Sequence, residues 1–191
     1  MRETILRRLA SAARGGEPRA APESDARLKA AAVLVPLIDR PDGMTVLLTR
    51  RSDDLPDHAG QICFPGGRME PGDVDAAAAA LRETAEEIGL DPGRVDVLGS
   101  YQPYRTGTGY YITPVVGFVR PPLELAPDPA EVAEVFEVPL AFVLDPGNHR
   151  RDSMMWRGEL HWYDAMSFGE RYIWGATAGM LVRFARLVAG P

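Results

Sequence analysis

The stretch Phe64–Leu90, FPGGRMEPGDVDAAAAALRETAEEIGL, constrains the chain more than any other. Its paired glycines, Gly66 and Gly67, let the backbone turn tightly and approach a ligand closely, because no Cβ stands in the way. The alanine-rich run behind them has strong helix propensity. Asp73 or Asp75 can cap that helix at its start, and Gly89 can end it in the left-handed conformation. At about 100° per residue, Glu83, Glu86 and Glu87 fall within an arc of roughly 100° on one side of the helix. Ala77, Leu81, Ala85 and Ile88 lie on the other side, so the spacing predicts one buried stripe and one acidic face.

Like charges three and four residues apart repel, and the cluster costs helix stability unless something offsets it. Three glutamates alone read most simply as a solvated face. The Gly-Gly turn ahead of them favours a cation instead, because a backbone carbonyl there can join the carboxylates. Such a set of hard oxygens suits magnesium, which binds through one or two carboxylates, waters and substrate phosphates. His58, His149 and His161 have no metal-binding spacing. Arg82 can reach Glu86 at i+4 and hold it.

With 191 residues, 46% hydrophobic and 25% charged, the chain reads as one soluble domain. Its net charge of -6 argues against a protein that neutralises many nucleic-acid phosphates. An acidic protein that handles phosphates needs a local device such as a bound cation. Cys63 is the single cysteine, which excludes an intrachain disulfide and reads as a buried thiol in a reducing compartment. The longest apolar run, Ala30–Ile38, is about half of what a bilayer demands. The first residues lack the apolar centre of a secretory signal, so the expected location is cytoplasmic.

Along the chain, Ile5, Leu6, Leu9 and Ala13 predict an amphipathic helix over residues 3 to 14 that could dock on the core or on a partner. Gly15–Arg27 reads as a linker, which gives an N-terminal segment 1–27 and a compact domain 28–191. Ala30–Ile38 and Met44–Arg50 predict a hairpin about Pro41-Asp42-Gly43. Gln61–Phe64, Val95–Gln102, Tyr110–Arg120 and Glu131–Val138 predict further strands. Residues 121–130, with four prolines, read as a loop and Pro139–Leu144 as a short helix. A hairpin is expected about Arg157-Gly158-Glu159, and a closing helix over Gly175–Val188. The class from pattern alone is α/β or α+β, a mixed sheet covered by helices.

GGRMEPGD followed by RETAEEIGL resembles the signature of the Nudix hydrolases, with Arg82, Glu83, Glu86, Glu87, Gly89 and Leu90 in phase. Three departures are present. Asp73 stands for the first glutamate, eight residues rather than seven separate it from Arg82, and Thr84 replaces a bulky apolar residue. Which of Asp73 and Asp75 takes the first acid's place is open, and the position is expected to be structural. The resemblance implies an α/β/α sandwich with a mixed sheet, dependence on Mg²⁺ or Mn²⁺, and hydrolysis of a diphosphate bond. Leu47–Gly67, LLTRRSDDLPDHAGQICFPGG, resembles the extra motif of the coenzyme A pyrophosphatase branch, as does the late run Tyr172–Ala178. Pro56 stands where that branch usually has a second arginine. The implied substrate is coenzyme A or a derivative. The alternatives are a Nudix enzyme for ADP-ribose, NADH or a dinucleoside polyphosphate, and a non-catalytic nucleotide-binding module.

On this resemblance Glu83 and Glu87 are the principal metal ligands, with Glu86 and the Gly67 carbonyl as further ones. Glu83 is the first choice of general base. Glu131 resembles a distant glutamate that completes some family sites, with Glu134 behind it and surface charge as the alternative for both. Arg51 leads the phosphate contacts, since its fork of donors matches phosphate oxygens. Arg50, Arg68 and Arg105 could add charge. His58 either bonds a phosphate or orders its loop. Tyr101, Tyr104 and Tyr110 could stack on a base, although strand aromatics are more often core. A homodimer is consistent with the family and with the N-terminal helix.

Overall fold

The computed structural model describes residues 1–14, 28–156 and 158–190, with no side chain described at residues 13 and 14. The expected linker over 15–27 and Arg157 of the expected hairpin turn lie outside the described residues. In chain order the elements are α1 (Arg2–Arg14), β1 (Lys29–Ile38), β2 (Thr45–Arg51), β3 (Ile62–Cys63), β4 (Gly66–Arg68) and α2 (Ala76–Ile88). There follow β5 (Val95–Ser100), β6 (Tyr104–Arg105), β7 (Tyr110–Val119), β8 (Val132–Pro139) and α3 (Leu140–Leu144). The last are β9 (Arg150–Trp156), β10 (Glu159–Phe168), β11 (Arg171–Trp174) and α4 (Gly175–Ala189).

The apolar run of β1 is buried on both faces, which is why it reads as continuous rather than alternating. It is the centre of a mixed sheet in the order β3-β2-β1-β7-β5, parallel to β7 and antiparallel to β2. Ala32, Leu34 and Ile38 pack beneath α2 with Ala79, Ala80 and Ile88. Val33, Val35 and Leu37 face the opposite layer, where Phe184 and Leu181 of α4, Leu140 and Val143 of α3, and Ile5 and Leu9 of α1 complete the larger core. Helices thus cover both faces of the sheet, the α/β/α arrangement expected. Of its two possible docking sites, α1 takes the core. β9, β10 and β11 form a separate antiparallel sheet.

One edge of β1 changes partner along its length. Its last residues pair with β2, whereas Ala31–Val33 pair with β4. The Gly-Gly segment is therefore a short strand with Gly67 opposite Ala32, not the tight turn expected from the sequence. Without side chains at two successive positions, this segment can lie flat under a neighbouring helix and still complete a ladder. That places Gly66 and Gly67 beneath α2. No described helix is long and apolar enough to cross a membrane.

Candidate functional site

The stripe that α2 buries runs through Ala80, Thr84, Glu87 and Ile88. It is rotated toward the acids from the predicted stripe, because alanines add little bulk to fix the helix and the glycines of β4 leave room on that side. Ala77, Leu81 and Ala85 are only partly buried, and Glu87 lies in the interior rather than on a solvent face. Thr84 occupies the place of a bulky apolar residue at the cost of burying a hydroxyl. It donates to the Ala80 carbonyl at 2.6 Å, which satisfies that hydroxyl within the helix.

Asp75 caps α2, accepting from the Ala78 N–H at 2.8 Å, and Gly89 ends it at φ 68°. Asp73 does different work. It holds the Arg82 Nε and Nη2 at 3.1 and 3.0 Å and accepts from the Glu70 N–H at 2.7 Å. Those hydrogen bonds from Arg82 hold its carboxyl below the usual range. Arg82 also donates to Glu83 at 3.0 Å, to Glu86 at 3.3 Å and to the Arg68 carbonyl at 3.1 Å. One guanidinium therefore ties the first acid, two carboxylates of the acidic face and β4 into a single unit.

Glu87 is 5% exposed, and its Oε2 accepts from the Gly66 N–H at 3.0 Å. Burial pushes its carboxyl up to about 7 despite that bond, and the charges of Glu131 and Glu83 add to the effect. Burial also raises Glu83, against the pull of Arg82, with Glu86 and Glu131 contributing repulsion. A Cβ at Gly67 would collide with the Glu83 carboxylate, so only glycine lets that carboxylate rest on the backbone here. Glu86 is the exposed member, its side chain 62% accessible.

Glu131 is brought in from a distant part of the chain. The Asp128 N–H donates to the Glu87 carbonyl at 2.9 Å, and the Asp128 carbonyl accepts from Glu131 and Val132 at 3.0 and 2.8 Å. The Ser52 N–H donates to the Glu131 carbonyl at 2.8 Å, next to a register shift between β2 and β8 at Arg50 and Arg51. Pro-Asp-Pro in the sequence marks a turn. Its docking onto the end of α2 has no sequence signal, and Asp128 is not among the residues the sequence singles out for that reason.

Arg51, at the end of β2, acts electrostatically on both Glu87 and Cys63. Its Nε is buried with no hydrogen-bond partner among the described residues. Cys63 is partly rather than fully buried; desolvation raises its thiol, which contacts the Thr49 hydroxyl at 3.2 Å. Arg50 is engaged by Asp53 at 2.9 and 3.1 Å. His58 Nδ1 lies 3.0 Å from the Gln61 Oε1 at a backbone φ of 58°, a contact that orders its loop. Arg68 donates to the Tyr110 hydroxyl at 2.8 and 3.1 Å. Glu134, the second candidate base, is paired with Arg171. Tyr101 is core: it is buried against Phe184 and its hydroxyl donates to the Met180 carbonyl at 3.0 Å. Tyr104 faces α4, against Gly179 and Arg183, on the side of the sheet away from α2. Its neighbour Arg105, opposite Tyr111, alternates to the other face.

The arrangement fits a hard divalent cation in three respects. Its side-chain oxygens are carboxylates, those carboxylates raise one another's proton affinity, and the glycine at 67 leaves a cradle that any side chain would fill. Among the described residues no three His, Cys, Asp or Glu side chains are grouped so that they could hold a metal ion by themselves, so water and substrate oxygens would have to complete the coordination. An open set of this kind suits Mg²⁺, which leaves positions for water and substrate phosphate.

A family profile described as the NUDIX domain matches residues 28–156. A protein of Photorhabdus laumondii described as "Uncharacterized Nudix hydrolase NudL" is 42% identical over 158 residues, covering 83% of this chain and 84% of its own. The protein of the same description from Escherichia coli K12 is 42% identical over 160 residues, covering 81% and 80%. Among solved structures, the NUDIX domain of Shewanella oneidensis NrtR, complexed with ADP ribose, superposes with a TM-score of 0.54. It is 19% identical and covers 90% of this chain and 95% of that one, a likeness of fold. The signature on α2, the sandwich that carries it and these relatives lead to one conclusion: the chain belongs to the Nudix hydrolase family.

Proposed function

We propose that this protein hydrolyses the diphosphate bond of coenzyme A or an acyl derivative with Mg²⁺ or Mn²⁺, giving 3',5'-ADP and 4'-phosphopantetheine or its acyl form. The observation that carries the reading is the place of Arg51. It comes from the upstream run Leu47–Gly67, and its charge acts on Glu87 of the acidic helix. That coupling supports reading the segment that resembles a coenzyme A motif and the carboxylates that would do the cutting as parts of one site.

A diphosphate resists water because its oxygens are negatively charged, and a bound Mg²⁺ or Mn²⁺ supplies offsetting charge and a more acidic water. Glu83 and Glu87 would hold the cation, with Glu86 and the Gly67 carbonyl as further donors. Arg82 keeps Glu83 and Glu86 in position through its bonds to both. Glu83 also serves as the base, and Glu131, held beside it by the Asp128 turn, is the second group able to take a proton. Arg51, whose charge acts on Glu87, is the residue assigned to a phosphate oxygen. Arg50, Arg68 and Arg105 add positive charge around the substrate, and His58 shapes the loop that carries the motif. A binding module without catalysis would usually lack one of the signature acids, and all are present here.

The test is to incubate the protein with Mg²⁺ or Mn²⁺ and, separately, coenzyme A, ADP-ribose, NADH and diadenosine tetraphosphate, then identify the products. Preferred release of 3',5'-ADP from coenzyme A is the expected result. A preference for ADP-ribose would overturn the substrate assignment while leaving the role of the carboxylates standing. Failure to cut any of the four would favour the binding module.

A further inference from the structure

A cavity of about 220 Å³ lies on the α4 side, lined by Tyr104, Arg151, Trp162, Tyr163, Asp164, Arg183 and Arg186. None of the α2 carboxylates borders it, and its walls come from β6, β9, β10 and α4. Three guanidinium groups share it with one carboxylate, in a chain whose net charge is -6. None of the three arginines forms an ion pair among the described residues, not even with Asp164. Charges of one sign gathered around a partly enclosed space favour an anion.

The walls also present flat rings. Arg183 donates to the Pro103 carbonyl at 2.7 Å and lies 4.6 Å from the Tyr104 ring centre, which fixes both on the inner wall. Trp162 is 57% exposed, with the Arg151 guanidinium 5.9 Å from its ring centre. Exposed indole next to arginine is a surface that can stack on a planar base. The volume falls below the ~300 Å³ at which clefts enclose a whole drug-sized ligand, so the interior suits a phosphate and the rim its attached ring.

We propose that this cavity binds a nucleoside monophosphate, with its phosphate held by Arg151, Arg183 and Arg186 and its base resting on Trp162. The site needs no metal and is separate from the carboxylates of α2, so it stands or falls independently of the proposed hydrolysis.

The experiment is calorimetric titration of the full chain in EDTA with AMP, inorganic phosphate and adenosine. Saturable AMP binding is expected, with phosphate and adenosine each weaker by about tenfold or more, since each supplies half of the contacts. The double variant Arg151→Ala/Arg186→Ala, both exposed positions, should weaken AMP by about tenfold or more, and added salt should weaken it in the wild type. Glu83→Gln should leave AMP binding unchanged. Absence of saturable AMP binding, adenosine binding as tight as AMP, or full AMP affinity in the double variant would each overturn the proposal. Loss of AMP binding in Glu83→Gln would overturn the separation of the two sites.

Discussion

The acidic edge around α2 and the arginine-lined cavity beside α4 are opposite in sign and unlike in construction. At the edge, Glu83 and Glu87 are partly or fully buried, and repulsion and lost solvation push their carboxyls toward neutrality. In the cavity, three arginines share the lining with a single carboxylate. Each holds charge that the chain does not balance from its own side chains. The contrast teaches that uncompensated charge points to a ligand, and its sign to the ligand's chemistry: a hard cation at one place, a phosphate at the other. It also separates a site positioned mostly by one helix from a site gathered from four elements.

The largest expected effect breaks the acidic side alone. From its place against Gly67 and Arg82, Glu83→Gln should lower kcat on the preferred diphosphate by a factor on the order of 10²–10⁴ while the circular dichroism stays native. Turnover near wild type would remove Glu83 as ligand and base together. Next comes Gly67→Ala, whose Cβ meets the Glu83 carboxylate. Displacing that group by even about 1 Å should lower kcat by roughly 10²-fold, while stability in urea unfolding changes little because the displaced atoms end a flexible side chain. An unchanged kcat would mean that the close approach is unimportant.

Arg51→Ala sharpens the comparison by removing a cation whose charge acts on Glu87 of the acidic helix. It should raise KM by about tenfold with a smaller change in kcat, because a charge-assisted contact to phosphate is lost. A fall in kcat at constant KM would assign Arg51 to the chemical step instead. The smallest effect lies far from both sites, where Arg40 bonds Glu137 at 2.5 and 3.0 Å and Thr45 bonds it at 2.6 Å. The hydrogen bonds from Arg40 hold the Glu137 carboxyl below its usual value. A carboxyl depressed by folding adds stability above its unfolded pKa of about 4.3, and that stability is lost as pH falls through the folded value. Glu137→Gln should therefore flatten the loss of stability on acidification and cost about 1 kcal/mol or less at neutral pH. A slope identical to wild type would show that the pair contributes nothing to acid unfolding.

Much of the fold was legible because its signals are local. The apolar run of β1, the turn at Pro41-Asp42-Gly43 and the helix stop at Gly89 each act within a few residues, and each lies where the pattern puts it. The Gly-Gly segment was misjudged, since glycine signals a tight turn as readily as a strand pressed beneath a helix. The rotation of α2 was hidden for a related reason: five alanines give a wheel almost no preferred side, and β4 decides it. The roles of Asp73 and Asp75 became distinct only once Arg82 and the Ala78 N–H were placed. Tyr101, Tyr104 and Tyr110 look alike in sequence, yet they go to the core, the arginine cavity and the Arg68 contact respectively. No periodicity carries that information, because it arises from which face each strand shows to which helix. Asp128 and Arg186 were invisible for the same reason.

The central claim is that the carboxylates of α2 form a cation site, and direct Mn²⁺ binding tests it without reference to any substrate. Titration of Mn²⁺ into the full chain, followed by the loss of the free-ion electron paramagnetic resonance signal, should reveal a saturable site. That site should be lost in Glu83→Gln/Glu87→Gln and retained in Arg151→Ala/Arg186→Ala. Equal Mn²⁺ binding by wild type and by the double glutamate variant, both folded, would contradict the account.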